Sequence, residues 1–150
     1  MRKLLALAVI ALIAVSVVAG AIVVSNAINN MPWNEFGDYN TDMTVQNCST
    51  YTSADLPAPT GQKYVMVTAF IHSDRQGTLP LSPAYFLLMT AQGGIYAYSA
   101  LVPNSVPASI ASGSGASVSV GFLIPEDATP VDLRLMLVED WGGHVDAAIL

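Results

Sequence analysis

The chain has 150 residues, 53% of them apolar, with 5 basic and 11 acidic side chains and a formal net charge of −6. After the first 27 residues, 3 basic residues stand against all 11 acidic ones, a net charge of −8. This balance argues against nucleic acid and anionic lipid headgroups as ligands, because both need clustered Lys and Arg. Cys48 is the only cysteine, which excludes an internal disulfide and a cysteine metal framework.

The first predicted element is an apolar segment near the N-terminus. Arg2 and Lys3 precede residues 4–24, which carry no charge. As a helix these 21 residues would extend about 31 Å, enough to cross a bilayer. Secretory signals usually have a shorter apolar core, but residues 25–27 (Ser-Asn-Ala) form a small-x-small cleavage sequence. Residues 1–27 are therefore predicted to be a signal anchor or a signal peptide cut after Ala27, with the C-terminal bulk outside the cytoplasm.

A polar stalk is predicted next, over residues 28–41. The segment contains Pro32 and Gly37 and shows no hydrophobic period. Trp33 has two interpretations: a side chain at the level of the lipid headgroups, or one that packs on the following domain.

From residue 42 onward the pattern predicts β-strands and turns. Two segments alternate apolar and other residues with period two, which is typical of strands with one buried face, and a diglycine marks a hairpin turn. Short strands separated by turns, without a helical period, indicate an all-β, antiparallel sandwich over residues 42–150. The predicted strands cover residues 43–52, 63–72, 85–90, 95–99, 117–124 and 131–138.

Five sequence segments, in this order and spacing, resemble the telokin-like, immunoglobulin-fold domains of prokaryotic secreted and membrane-anchored proteins. The resemblance implies an immunoglobulin-like β-sandwich and a location outside the cytoplasm. It transfers no catalytic residue, since the family pattern consists of structural positions and the family is largely of unknown function. The segments are residues 61–67 (GQKYVMV), 81–88 (LSPAYFLL), 94–96 (GIY), 112–115 (SGSG) and 120–126 (VGFLIPE).

No residue pattern predicts catalysis. Serine hydrolases need a histidine held against the nucleophile, and the only histidines are His72 and His144. The Gly-x-Ser-x-Gly elbow, the phosphate loop and the dinucleotide fingerprint are all missing from the sequence. We therefore predict a protein that is not an enzyme, with no catalytic residue and no cofactor.

The densest polar cluster of the chain lies near its C-terminus. Glu139, Asp140, His144 and Asp146 surround a diglycine and are weak candidates for holding a divalent cation. The alternative is a solvated loop that follows the last strong strand, which needs no metal. Defined ligand spacing is absent, and this favours the loop.

Two further residues receive predictions. Asn47 lies in an Asn-Cys-Ser sequon and is a weak candidate for N-glycosylation. Cys48 is interpreted as a small hydrophobic residue within the domain.

These features favour a non-enzymatic, membrane-anchored, immunoglobulin-like domain outside the cytoplasm that binds or scaffolds a surface partner. The membrane contact is the N-terminal helix, and the expected partner is another protein or a second copy of the chain. Cleavage after Ala27 would make the domain a secreted one. The alternative is a pilin-like subunit whose N-terminal helix packs in the core of a surface filament, because an apolar helix followed by a sandwich resembles archaeal type IV pilins.

Overall fold

The computed structural model describes residues 40–137 and 143–150. The predicted apolar segment, nearly all of the stalk, Glu139 and Asp140 lie outside the described residues. Within the described part, no helix has the length and apolar character needed to cross a membrane. A short 3-10 turn covers Pro83–Tyr85, and the strands are β1 (Thr41–Tyr51), β2 (Gln62–Ser73), β3 (Leu79–Pro80), β4 (Phe86–Thr90), β5 (Ile95–Ala97), β6 (Ser109–Ile110), β7 (Ser114–Pro125), β8 (Pro130–Leu137) and β9 (Gly143–Ala148).

A three-stranded antiparallel sheet forms one layer, in the order β1-β2-β7. Its inner face carries the alternating β-branched and aromatic residues that the sequence pattern predicts, because period two places every second side chain on one side. Val67 and Ile71 on β2, and Val120 and Phe122 on β7, are fully buried there.

A four-stranded antiparallel sheet forms the other layer, in the order β5-β4-β8-β9. Its inner face contributes Phe86, Leu88, Leu133 and Leu135, all with no exposed surface, to the same core cluster. Each such side chain contributes about 1.5–3 kcal/mol by leaving water. The predicted all-β, antiparallel architecture is confirmed, and the two layers form a sandwich.

The predicted hairpin between β4 and β5 is also confirmed. Gly93 adopts a φ of 82°, which favours glycine, and its N–H donates to the carbonyl of Thr90 at 2.9 Å. The Thr90 hydroxyl also accepts from the Gly94 N–H at 3.1 Å. These bonds fix the turn that brings the two strands together.

The structure contains strands outside the predicted ones. Between the predicted strands at residues 63–72 and 85–90, β3 pairs with the distant β6, because Leu79 and Ile110 both fill the core. The prediction of a loop at residues 139–146 was also wrong for its last four residues. Residues from Gly143 onward pair with β8 as β9, since Val145 and Ala147 face the same core.

After β5 the chain crosses to the other sheet and runs along the free edge of β7. The segment at residues 98–107 follows this edge: Tyr98 pairs with Phe122, and Ser105 pairs with Ser119. The Ser99 N–H donates to the carbonyl of Gly121 at 2.7 Å. We call residues 98–107 the edge loop.

Candidate binding surface

The outer face of the three-stranded sheet carries an exposed phenylalanine in a polar surround. Directly opposed residues of an antiparallel pair lie on one face of the sheet, and Phe70 on β2 lies opposite Thr44 on β1 and Ser117 on β7. Phe70 is 40% exposed, although most large apolar side chains of the domain are buried. We call this surface the Phe70 face, and it consists of Thr44, Asn47, Thr68, Phe70, Ser117 and Ser119.

Local packing holds the Phe70 face in one arrangement. A side chain at Gly115 would overlap the Phe70 ring, so the ring lies against the backbone of β7 at that glycine. In the next row the hydroxyls of Thr68 and Ser119 are hydrogen-bonded at 3.1 Å. His72 continues the face and contacts Asp74 at 3.1 Å, with both side chains exposed. The result is an aromatic ring whose directly opposed neighbours are uncharged hydroxyl groups, with His72 and Asp74 farther along the same face.

The other half of this outer face is covered by the edge loop. Val102 packs on Tyr64 and Leu123 in a small second apolar cluster. A Cβ at Gly121 would overlap Val102. The edge loop can lie against β7 here because Gly121 has no side chain. The side chain of Asn104 fixes it, donating to the carbonyls of Ser99 and Val102 at 2.9 and 3.0 Å and accepting from the Gly121 N–H at 2.8 Å.

A shallow cleft lies at the end of the sheet where β1 ends and β2 begins, lined among others by Tyr51, Leu56 and Lys63. Its volume is ≈ 240 Å³. Small-molecule sites usually enclose about 300–1,000 Å³, so this cleft is small for a cofactor.

The structure places two of the four candidate metal ligands on β9. His144 and Asp146 alternate along the strand, and Nε2 of His144 lies 3.6 Å from Oδ2 of Asp146. Asp146 is also engaged by Arg134, whose Nε and Nη2 donate to its two carboxylate oxygens at 2.7 and 2.8 Å. Among residues 40–137 and 143–150, no group of three or more His, Cys, Asp or Glu could hold a metal. Glu139 and Asp140 lie outside these ranges, so the four-residue cation site stays a prediction.

Asn47 and Cys48 lie next to an irregularity of β1. The register of β1 against β2 shifts between Val45 and Asn47, as in a β-bulge. Asn47 is exposed there, and its glycosylation stays a prediction. Cys48 packs half-buried against the core, in line with the prediction of a small hydrophobic residue. Burial raises the pKa of its thiol, and the charge of Lys63 partly opposes this rise.

Sequence reasoning missed the Phe70 face. Within β2 the outer side, with Tyr64, Met66 and Phe70, is about as apolar as the inner side, so the strand pattern predicts burial on both. The informative signal lay in β7, where Ser117 and Ser119 alternate with valines. Only the register of the two strands shows that these serines flank the phenylalanine.

The described residues thus define a class, an antiparallel β-sandwich domain. No known protein family matches the chain, and no curated protein does. MPT63, a secreted protein of Mycobacterium tuberculosis, has a similar fold with 13% identity and a TM-score of 0.55, covering 87% of this chain and 93% of its own. The candidate lipoprotein ycdA of Bacillus subtilis matches with 12% identity and a TM-score of 0.53, covering 75% of this chain.

The match with ycdA spans only 37% of that protein's length. At 12% and 13% identity, both similarities show the fold alone. Membership of the telokin-like family stays a prediction.

Proposed function

We propose that this chain is a non-enzymatic, immunoglobulin-like domain, held at the outer surface of the cell membrane by residues 4–24, that binds a surface partner through the Phe70 face. The charged start and long apolar run of the N-terminus support the location. The export of MPT63 supports it as well, since MPT63 is a secreted protein with a similar fold. The observation that carries the proposal is the exposed Phe70 ring held among uncharged polar side chains.

The chemistry of the Phe70 face indicates the kind of partner. The remaining exposed area of the ring supplies an apolar contact, and aromatic side chains often dominate binding energy at the centre of an interface. Thr44, Asn47 and Ser117 offer donors and acceptors around it. The side chains directly opposite Phe70 carry no charge that must be stripped of water, so a partner with uncharged hydrogen-bonding groups around an apolar group fits best.

Photo-crosslinking on intact cells tests this proposal. A benzophenone amino acid is placed at Phe70 or at Leu101, an exposed apolar residue of the edge loop that serves as the matched control. We expect a defined adduct from position 70, none from position 101, and loss of the adduct when Thr44→Arg adds a charge beside the ring. Equal labelling from both positions, or none from position 70, would refute binding through this face.

N-terminal sequencing of the protein recovered from membranes tests the anchoring. A start at Met1 or Arg2 supports the anchor, whereas a start at Leu4 supports the filament subunit. A start at Ile28 makes the domain a secreted one. Recovery of the intact chain from the cytosolic fraction would contradict all three.

A further inference from the structure

The ring of Phe70 lies along the outer face of the three-stranded sheet and does not stand away from it. A Cβ built on Gly115 would be 2.3 Å from Cζ of Phe70, so the tip of the ring lies within about 4 Å of the Gly115 Cα. Gly115 belongs to the neighbouring strand β7, where it pairs with His72. The ring therefore reaches sideways over the glycine backbone and leaves 40% of the residue exposed, as a low apolar platform level with the sheet.

Hydroxyl groups surround this platform. Thr44 on β1 and Ser117 on β7 lie directly opposite Phe70, and both are exposed. In the next row, the hydroxyls of Thr68 and Ser119 hold each other at 3.1 Å. Two hydroxyls that share one hydrogen bond keep one O–H to donate and several lone pairs to accept. The surround of the ring can thus both donate and accept.

The backbone beneath the ring is already paired. β2 is the central strand, with β1 on one side and β7 on the other along the whole row of Phe70. Pairing on both sides takes up the N–H and C=O groups of a central strand. A peptide that binds by strand addition needs a free edge instead. The Phe70 face therefore recognises a ligand through its side chains alone.

The open area is small for a protein partner. The edge loop bounds it at Gly121, opposite Met66, and the contact between His72 and Asp74 bounds the other end. From Thr68 to His72 the face is about 13 Å long, and three strands make it about 10 Å wide, or about 130 Å² in all. Stable protein interfaces bury about 800 Å² on each partner. A protein would therefore have to make most of its contacts outside this face.

We propose that the partner of the Phe70 face is a neutral saccharide chain, one ring of which stacks on Phe70. A sugar ring has an apolar face of C–H groups and a rim of hydroxyls, which matches a flat aromatic ring among hydroxyls. The negative face of the aromatic ring attracts the polarised C–H groups. The sugar hydroxyls then bond to Thr44, to Ser117 and to the pair of Thr68 and Ser119.

Charge favours a neutral saccharide over an acidic one. The chain after residue 27 carries a net charge of −8, and this charge repels an anionic polymer. The side chains directly opposite Phe70 are uncharged, so no cation there offsets the repulsion. The inference rests on the proposed function, because it names the chemical class of the partner that binds this face.

The photo-adduct formed at position 70 on intact cells tests the saccharide directly. The peptide that contains the benzophenone residue is isolated and fragmented in a mass spectrometer. We expect fragments of neutral sugars attached to this residue. Amino-acid fragments of a second protein, or acyl-chain fragments, would overturn the saccharide and leave binding through the Phe70 face intact. The absence of any adduct would overturn the proposed function together with this inference.

Substitutions at position 70 test the stacking. The full-length chain, in a detergent without a sugar headgroup, is sedimented with cell envelopes that proteinase K and chloroform–methanol have stripped of protein and lipid. Phe70→Leu keeps an apolar side chain without an aromatic face and should weaken binding about tenfold. Phe70→Tyr, which keeps the aromatic face, and the matched control Leu101→Ala should bind as the parent does.

Salt provides the last readout of this experiment. Binding of a neutral saccharide should stay the same as the ionic strength rises, because no pair of charges is screened. Equal binding by the parent and Phe70→Leu would overturn the stacking. Binding that salt abolishes, or a parent chain that does not sediment with the stripped envelopes, would overturn the neutral saccharide.

Discussion

Replacing Asn104 tests how the edge loop is held on the sandwich. The Asn104→Ala substitution removes three hydrogen bonds, two donated to loop carbonyls and one accepted from the Gly121 N–H. At about 1 kcal/mol each, the full loss would be about 3 kcal/mol. Asn104 is only partly buried, so water satisfies some of the freed groups and the expected cost is about 2 kcal/mol. The buried Gly121 N–H is the group that water replaces least well.

Urea unfolding of the full-length chain in detergent, followed by circular dichroism, measures this cost. We expect a lower midpoint at an unchanged slope, and a similar loss for Asn104→Asp, which keeps the acceptor but donates nothing. Asn47→Ala is the control, because its amide makes a long, exposed 3.4 Å contact to Ser49, and it should cost less than about 0.5 kcal/mol. If Asn104→Ala also costs less than about 0.5 kcal/mol, the backbone pairing with β7 and the packing of Val102 hold the loop without the Asn104 side chain.

Three further predictions concern other contacts. Gly121→Ala should destabilise the domain by about 1–3 kcal/mol because the new methyl group overlaps Val102. Adding Val102→Ala should make the double variant less destabilised than the sum of both single ones in urea titrations, and strict additivity would contradict this contact. Asp146→Ala should lower the melting temperature because it leaves the Arg134 guanidinium without its partner. Since Asp146 is 35% exposed, the expected loss of unfolding free energy is about 1–3 kcal/mol. The double variant with Arg134→Met should recover most of this loss. No recovery would show that the ion pair itself stabilises the sheet. The raised pKa of Cys48 means that the folded state holds the thiol proton more tightly than the unfolded state, whose pKa is near the ordinary 9.0. The stability from this group is therefore complete below pH 9 and falls as the pH rises above it, so between pH 8 and 10.5 the parent should lose more unfolding free energy than Cys48→Ser. Equal losses would refute the role of the thiol.

The parts of the fold that could be predicted are those whose signal is local. In β7 and β8 a strict alternation of apolar residues defines strand, face and core side chains together, and the diglycine before Ile95 defines the hairpin. The two-residue strands β3 and β6 could not be predicted, because two residues show no period. Leu79 and Ile110 pair only because the tertiary structure brings them together.

The candidate surfaces depend on contacts between residues distant in sequence. Phe70 is exposed because Gly115 and Ser117 lie beside it on another strand, and nothing near Phe70 in the sequence indicates this. Arg134 meets Asp146 for the same reason, through the pairing of β8 with β9. The prediction of a loop around His144 was wrong because pairing with β8, and not the diglycine, decides where β9 begins.

The register shift in β1 interrupts the edge of the three-stranded sheet. β1 is the edge strand of its sheet, and at 11 residues it offers a long backbone ladder to any neighbouring copy. The irregularity between Val45 and Asn47 divides that ladder into two short, differently twisted pieces. Such a break works against the pairing of β1 with the same strand of a second copy, because the two halves of the ladder no longer follow one register.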